Sequence, residues 1–340
     1  MPRTTTAEQV KRSRRFSRGF LVLLLTLLCV IGFFLLRKEK TEPAGELPMQ
    51  AAYELPEDLA GSPNVQKPVP LWGEALCAVS GDVGSDPAVT AEAGITFGLT
   101  DGEVFFSKNA FERLEPASVT KATTCLVALK YGDLSREITV EDYMLADLDP
   151  DSSLCHIAPG CTLTLEQLLY GLMIPSGNDA ANVIAYCVAG GEQEFVDLMN
   201  REAALLGATG THYANAHGLS DPDHYTTAYD IYLIYHEAMK YEKFLEIIGT
   251  QSYTADFMYN GSMASLTWER GIWYFNGMAQ APEGVTPLGG KTGTTPEAGY
   301  CLSLASEDTA GNRYVSVVLK ASDRTDLYSN MTALLSKIPN

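Results

Sequence analysis

The run Phe20–Leu36, FLVLLLTLLCVIGFFLL, holds 17 residues without a charge, and no other stretch constrains the chain as strongly. In hydrocarbon a single segment must satisfy its own backbone hydrogen bonds, so such a run reads as one helical span. At about 1.5 Å per residue it is slightly shorter than a bilayer core of about 30 Å, yet within the range of real spans. Arg18 and Arg37 extend it at either end by reaching for the interface. The run ends in RKEK rather than in a small-residue cleavage site, and TLLC lacks the small residue beside cysteine that a lipoprotein site needs. It therefore reads as an uncleaved anchor and not as a signal peptide. Six basic residues precede it and three follow. That bias makes residues 1–19 a cytoplasmic basic tail and puts the rest of the chain outside, on a single-pass membrane protein.

Charge separates the two parts further. Residues 1–40 carry nine of the 24 Lys and Arg and only two of the 42 Asp and Glu, so residues 41–340 carry a net −25. A body that acidic offers no basic face for nucleic acid. Residues 37–71 are rich in Pro, Glu and Ala without a sustained period and read as a flexible tether. Residues 72–340 form the folded body. AGITFGLTDGEVFFSKNA alternates and turns at TDGE, predicting a hairpin. CTLTLEQLLYGLM begins as a strand and becomes helical near Thr164, with Glu166 in the first turn. NDAANVIAYCVAG, EQEFVDLMNREAALLG and TAYDIYLIYHEAMKY predict three helices. After Lys243 the pattern shifts: LGGKTGTTPEAGYCLSLAS and NRYVSVVLKAS predict strands separated at TAGN, and TDLYSNMTALLSKI a last helix. Strands at both ends and helices between them predict an α/β (α+β) domain. Its simplest form is one mainly antiparallel sheet of chain-distant strands, flanked by helices, with a helical subdomain.

Cysteine gives two readings. Outside the span lie Cys77, Cys125, Cys155, Cys161, Cys187 and Cys301, with no C-x-x-C to suggest zinc or a redox pair. The stronger reading makes all six small buried apolar residues. The alternative bridges Cys155 and Cys161 across the HIAPG turn.

The stretch PASVTKATTCLVALKYG, residues 116–132, predicts a helix opened by Pro116 and Ser118 and closed by Gly132. Its oddity is Lys121. A first-turn cation opposes the helix dipole, where acids are usual. Ser118 also has a plain reading as an N-cap, with Lys121 in solvent. The chemical reading is that a lysine relieved of its proton is a base for a serine one turn away, beside backbone N–H groups that can hold an oxyanion. Two further stretches have the same double reading. MIPSGNDAANVIA puts Ser176 and Asn178 in a turn ahead of a helix, which also suits capping. GGKTGTT puts Lys291, Thr292 and Gly293 on a glycine-flanked strand, which also suits an edge strand with an exposed lysine.

Taken in order, S-x-x-K, S-x-N and K-T-G form the Ser–Lys set of the penicillin-recognising enzymes. With TDGEVFFSKNAFERLEPASVTK, TLEQLLYGLMIPSGNDAANVIA, NAHGLSDPDHYTTAYDI and GGKTGTTPEAGYCLS, the chain resembles the serine D-alanyl-D-alanine carboxypeptidases over roughly residues 90–335. These are the low-molecular-mass penicillin-binding proteins. The resemblance implies a β-lactamase/D,D-peptidase-like fold and removal of the terminal D-alanine from peptidoglycan stem peptides. It implies β-lactams as covalent inhibitors and neither cofactor nor metal. It makes Ser118 the acylated nucleophile, Lys121 its base and Ser176 the group that passes the proton to the leaving D-alanine. Asn178 would hold the peptide and Lys121. Lys291 would supply charge, and Thr292 and Thr294 would bind the substrate carboxylate beside Gly293. The oxyanion hole would be the N–H groups of Ser118 and Thr294.

Period-2 alternation sets Lys291 and Gly293 on one face and Thr292 and Thr294 on the other, so they share a site only along the rim of an edge strand. His217 and His224 read as turn and core groups. MASLTWERGIWYFNGMAQAPEGVTP departs from the family pattern and is expected to wall the site near the K-T-G strand. Two rivals remain. A β-lactamase needs a water-activating glutamate, for which REAALLG around Glu202 is the nearest stretch. A silent cell-envelope binding protein would keep the fold without the reaction. Labelled penicillin separates the three by stable labelling, fast turnover or no labelling.

Overall fold

The computed structural model describes residues 81–339 apart from 101, 147 and 149–151. The basic tail, the span at 20–36 and the tether lie outside them. Among the described residues no helix is long and apolar enough to cross a membrane.

Two antiparallel sheets organise the described residues where the sequence suggested one. The larger has the order β2-β1-β9-β8-β7. Its strands are β1 (Ala93–Gly98), β2 (Val104–Lys108), β7 (Thr286–Thr295), β8 (Gly299–Glu307) and β9 (Arg313–Ala321). Chain-distant pairing is set by β1 against β9, with Ile95 opposite Val317 and Phe97 opposite Val315. Ile95, Phe97, Val315, Val317 and Leu319 point into one core, while Leu302, Leu304 and Val318 point into the other. Both faces are thus covered, which explains why β8 and β9 read as near-continuous apolar runs. Helix α5 (Ala228–Ala238) packs on one face against β9 and β1, and α8 (Arg324–Leu335) on the other, with a short α7 (Trp273–Asn276) ahead of β7.

The smaller sheet has the order β3-β4-β5-β6. It comprises β3 (Glu137–Thr139), β4 (Cys161–Thr164), β5 (Ser252–Tyr259) and β6 (Ser262–Glu269). The hairpin β5–β6 and helix α6 (Glu242–Gly249) precede the K-T-G strand, where the sequence pattern predicts neither. The hairpin had a signal of its own: Asn260 and Gly261 have φ of 48° and 81°, as the central residues of a type I′ turn require. Helices α1 (Lys121–Tyr131), α2 (Leu165–Met173), α3 (Asn178–Ala189) and α4 (Glu192–Leu205) pack against one another. Helix α2 opens at Thr164 as expected. Its reciprocal capping partner is Gln167, with Glu166 left as a first-turn acid.

Helix α1 is the central post and is buried all round from Lys121 to Ala128. Its polar face is buried too, since Thr123 bonds Tyr213 Oη at 2.7 Å and Thr124 donates to the Ala216 carbonyl at 2.6 Å. Hydroxyls matched in this way lose little by leaving water. Cys155 and Cys161 are both free and buried, so the bridge across the HIAPG turn is not formed. Burial pushes the Cys155 thiol well above its ordinary range, with the Asp179 carboxylate adding to the effect. Full alkylation of both cysteines is therefore expected in chain unfolded without reductant. Protection of both, read by peptide mass, would restore the disulfide.

Candidate active site

Three elements meet at a cavity of about 320 Å³ lined by Ser118, Ser176, Gly290, Lys291, Thr292, Gly293 and Thr294. The chain reaches Ser118 through Ala117, whose φ of 48° is unusual for a residue with a Cβ. A short 3-10 turn, Ala117–Thr120, then runs into α1, whose first helical residue is Lys121. Ser118 and Lys121 thus stand one turn apart at the head of the central helix.

Lys121 is fully buried, and its Nζ reaches three oxygens. They are Ser118 Oγ at 3.0 Å, Asn178 Oδ1 at 2.6 Å and the His217 carbonyl at 2.6 Å. Burial holds its pKa well below the usual lysine range, the Lys291 charge lowers it further, and Asp179 opposes both. Desolvation is therefore the leading cause, ahead of the neighbouring cation. A neutral amine keeps two N–H groups for the shorter contacts and can turn its lone pair to Ser118 Oγ.

Ser176 sits at φ 68° in the turn before α3. That strained conformation is held by its neighbours. Gly177 N–H donates to the Gly171 carbonyl at 3.0 Å and Asn178 N–H to the Ser153 carbonyl at 2.8 Å. The buried Asp179 carboxylate accepts from the N–H groups of Cys155 at 2.8 Å, Ile157 at 3.1 Å and Ala180 at 2.9 Å. The SGND sequence is thus a helix start and a site wall together, with Asp179 as its anchor.

β7 is the edge strand of the larger sheet. Its rim faces the cavity, which lets Lys291 and Gly293 share it with Thr292 and Thr294. Gly293 is the point of closest approach: a Cβ there would stand 2.8 Å from both the Pro116 carbonyl oxygen and Ser118 N. Lys291 is 2% exposed, donates to the Thr292 carbonyl at 2.8 Å, and is pushed down to about 7 by burial and by the Arg270 charge.

Arg270 escaped the sequence reading. Its guanidinium is buried and donates to three carbonyls, those of Thr250 at 2.7 Å, Gly290 at 3.1 Å and Ile247 at 2.8 Å. It ties the end of β6 to β7 and to the end of α6, a role with no linear signature because every partner is backbone. Glu269, Arg270, Gly271 and Ile272 line the cavity, so part of the divergent segment does form a wall beside the K-T-G strand. Next to it, Trp273 stacks on Tyr328 at 4.6 Å. Arg324 at the head of α8 completes a lining with several cations. Glu202 lies elsewhere. It is fully buried, bonds Lys130 Nζ at 2.5 Å and Tyr131 Oη at 2.8 Å, and does not line the cavity. The stretch nearest to a β-lactamase's water-activating glutamate therefore does not reach the cavity.

Comparison with known proteins agrees with this arrangement. Residues 81–323 match the family model described as D-alanyl-D-alanine carboxypeptidase. The chain is 32% identical over 256 residues to the D-alanyl-D-alanine carboxypeptidase DacF of Bacillus subtilis, covering 74% of this chain and 62% of that protein. It is 31% identical over 264 residues to the D-alanyl-D-alanine carboxypeptidase of Streptomyces sp. strain K15, covering 74% of this chain and 87% of that protein. The chain therefore spans about three-fifths of the Bacillus relative and most of the Streptomyces one. The crystal structure of the Streptomyces K15 DD-transpeptidase superposes with a TM-score of 0.67 at 30% identity, covering 74% of this chain and 98% of that one.

Proposed function

This chain belongs to the D-alanyl-D-alanine carboxypeptidase family, and from that membership and the site's geometry we propose that it removes the terminal D-alanine of peptidoglycan stem peptides through a Ser118 acyl-enzyme. The observation that carries the reading is a fully buried lysine, with its neutral form favoured, 3.0 Å from a serine hydroxyl at the cavity wall. Neutral Lys121 takes the Ser118 proton as Oγ attacks the carbonyl carbon of the D-Ala-D-Ala bond. The Ser118 and Thr294 N–H groups hold the developing oxyanion. Ser176 delivers its proton to the departing D-alanine nitrogen as the C–N bond breaks and is resupplied from Lys121, leaving the ester on Ser118 and the lysine neutral again. Water attacks that ester, Lys121 takes the water's proton, and the Ser118 Oγ–acyl bond breaks as that proton passes to Oγ, releasing the shortened peptide. Lys291 and the hydroxyls of Thr292 and Thr294 receive the substrate's terminal carboxylate, and Asn178 orients both peptide and base. A β-lactam enters the first half of this path, and its ester persists because its ring fragment cannot leave. No step needs a metal or cofactor.

Labelled penicillin tests the reading. The intact chain is expected to take one stable label, located at Ser118 by peptide mass, and Ser118→Ala to take none. Labelling that turns over in seconds would favour a lactamase, and unchanged labelling of Ser118→Ala would place the nucleophile elsewhere.

The span at 20–36, with its basic residues biased to the N-terminal side, supports an anchored enzyme with its body outside the cell membrane. Protease added to intact protoplasts is accordingly expected to release the body. Release only after lysis would reverse the orientation.

A further inference from the structure

We propose that Thr120 and His224 are positioning residues that aim the Ser118 amide N–H into the cavity by pinning the carbonyl at the other end of the same peptide bond. The inference rests on the acyl-transfer reading above, in which that N–H meets the oxyanion.

Thr120 lies between the nucleophile and its base and is 2% exposed, as is His224. Thr120 Oγ1 donates to the Ala117 carbonyl at 2.8 Å and lies 2.8 Å from His224 Nε2. The direction of this relay is fixed at its far end. His224 Nδ1 faces the Ala214 N–H at 3.1 Å and must accept from it. A neutral ring then carries its proton on Nε2 and donates to Thr120 Oγ1, which leaves the threonine's own hydrogen for the Ala117 carbonyl. Burial supports the neutral ring by pushing the pKa down to about 4, aided by His212 and Lys121 and opposed by Asp221. Every donor and acceptor in the chain is matched.

The carbonyl so held belongs to the residue with φ 48° immediately before the nucleophile. A trans peptide is planar, with its C=O and N–H pointing opposite ways, so fixing the oxygen fixes the hydrogen. The two sides of this plane are distinct. On the carbonyl side Gly218, at φ 91°, approaches so closely that a Cβ would stand 2.0 Å from Ala117 O and 2.9 Å from Thr120 Oγ1. On the amide side lies Gly293 of β7, whose missing Cβ would stand 2.8 Å from Ser118 N. The N–H therefore looks to the rim that lines the cavity, and the relay stands behind it. The same loop supplies the His217 carbonyl that holds Lys121. It thus braces nucleophile and base together.

The test is the acylation of the full-length chain by fluorescent penicillin, resolved into the first-order acylation constant and the dissociation constant of the preceding complex. Thr120→Val keeps the shape and removes the relay. It is expected to slow the acylation step on the order of tenfold or more, with the dissociation constant unchanged. Thr120→Ser restores the hydroxyl and should recover most of that loss. His224→Gln, which keeps an N–H donor, should lose less than His224→Leu. The pair Thr120→Val with His224→Leu should be no slower than the worse single variant, because both cut one chain. Thr120→Val acylating at the wild-type rate, or losses that simply multiply in the double variant, would overturn the positioning role while leaving the Ser118 chemistry standing. A wild-type chain that takes no label at Ser118 overturns the acyl-transfer reading and the relay with it. Should His224→Leu fail to fold, the Val and Ser variants of Thr120 decide alone.

Discussion

Lys121→Arg is expected to abolish acylation of Ser118 by a β-lactam. In the proposed mechanism the lysine acts as its neutral form, and a guanidinium cannot give up its proton at any accessible pH. The loss should be on the order of 10³-fold or more, the scale of a general base removed from a nucleophile. Circular dichroism checks that the fold survives the larger head group. A Lys121→Arg chain that still forms the acyl-enzyme at near-normal rate would overturn the Ser–Lys assignment. Lys291→Arg makes the contrast, because it keeps a cation for the carboxylate and should mainly weaken affinity.

The pH profile of kcat/KM sharpens that contrast, since it reports groups of the free enzyme. Lys121 must be neutral, and burial with the Lys291 charge holds its pKa well below the usual range. The acid limb therefore rises as Lys121 loses its proton. Lys291 must be charged, and burial with the Arg270 charge pushes it down to about 7. The alkaline limb should fall through that region as Lys291 becomes neutral. Lys291→Arg, which stays charged, should remove the alkaline limb. A limb that stays in place in that variant belongs to another group.

The second large effect is expected from Gly293→Ala. Its backbone is ordinary strand, so no left-handed conformation is at stake. The cost is contact. The new Cβ would lie 2.8 Å from the Pro116 carbonyl oxygen and from Ser118 N, and 3.0 Å from Ala117 Cβ. The first two belong to backbone that cannot swing away as a side chain can. As the edge strand, β7 can move outward, so the domain should fold with its rim displaced from Ser118. A displacement of about 1 Å in a catalytic geometry costs on the order of 10²-fold. Acylation should fall by that order while the melting temperature changes little. Normal acylation by Gly293→Ala would mean that β7 does not need to approach Ser118 so closely.

Much of the fold was legible because its signals are local. The central helix, the helix capped by Thr164, the helix starting at Asn178 and the two C-terminal strands follow from periodicity and from residues such as Thr164 and Gly132 at element ends. The second sheet was not legible as a sheet. β3 has three residues and β5 and β6 are largely exposed, so they lack the apolar runs that marked β8 and β9. Their pairing is decided by partners far along the chain. Only the Asn260–Gly261 turn announced the hairpin.

The site divides in the same way. The sequence by itself determined which groups could do the chemistry, since S-x-x-K sets a serine and a lysine one turn apart on any helix, and the glycines around Lys291 permit a close approach. It could not determine the state of those groups. Lys121 is held toward its neutral form because α1 is buried on every side, with Asn178 and the His217 carbonyl, 57 and 96 residues away, filling its hydrogen-bonding positions. Desolvation depends on everything packed around a charge and so has no signature in neighbouring residues. Likewise the threonines and the lysine of the K-T-G strand share one cavity only because the sheet places β7 at its edge. Arg270 and the Thr120–His224 relay were hidden for a third reason. They act on backbone carbonyls, whose positions exist only once the chain has folded.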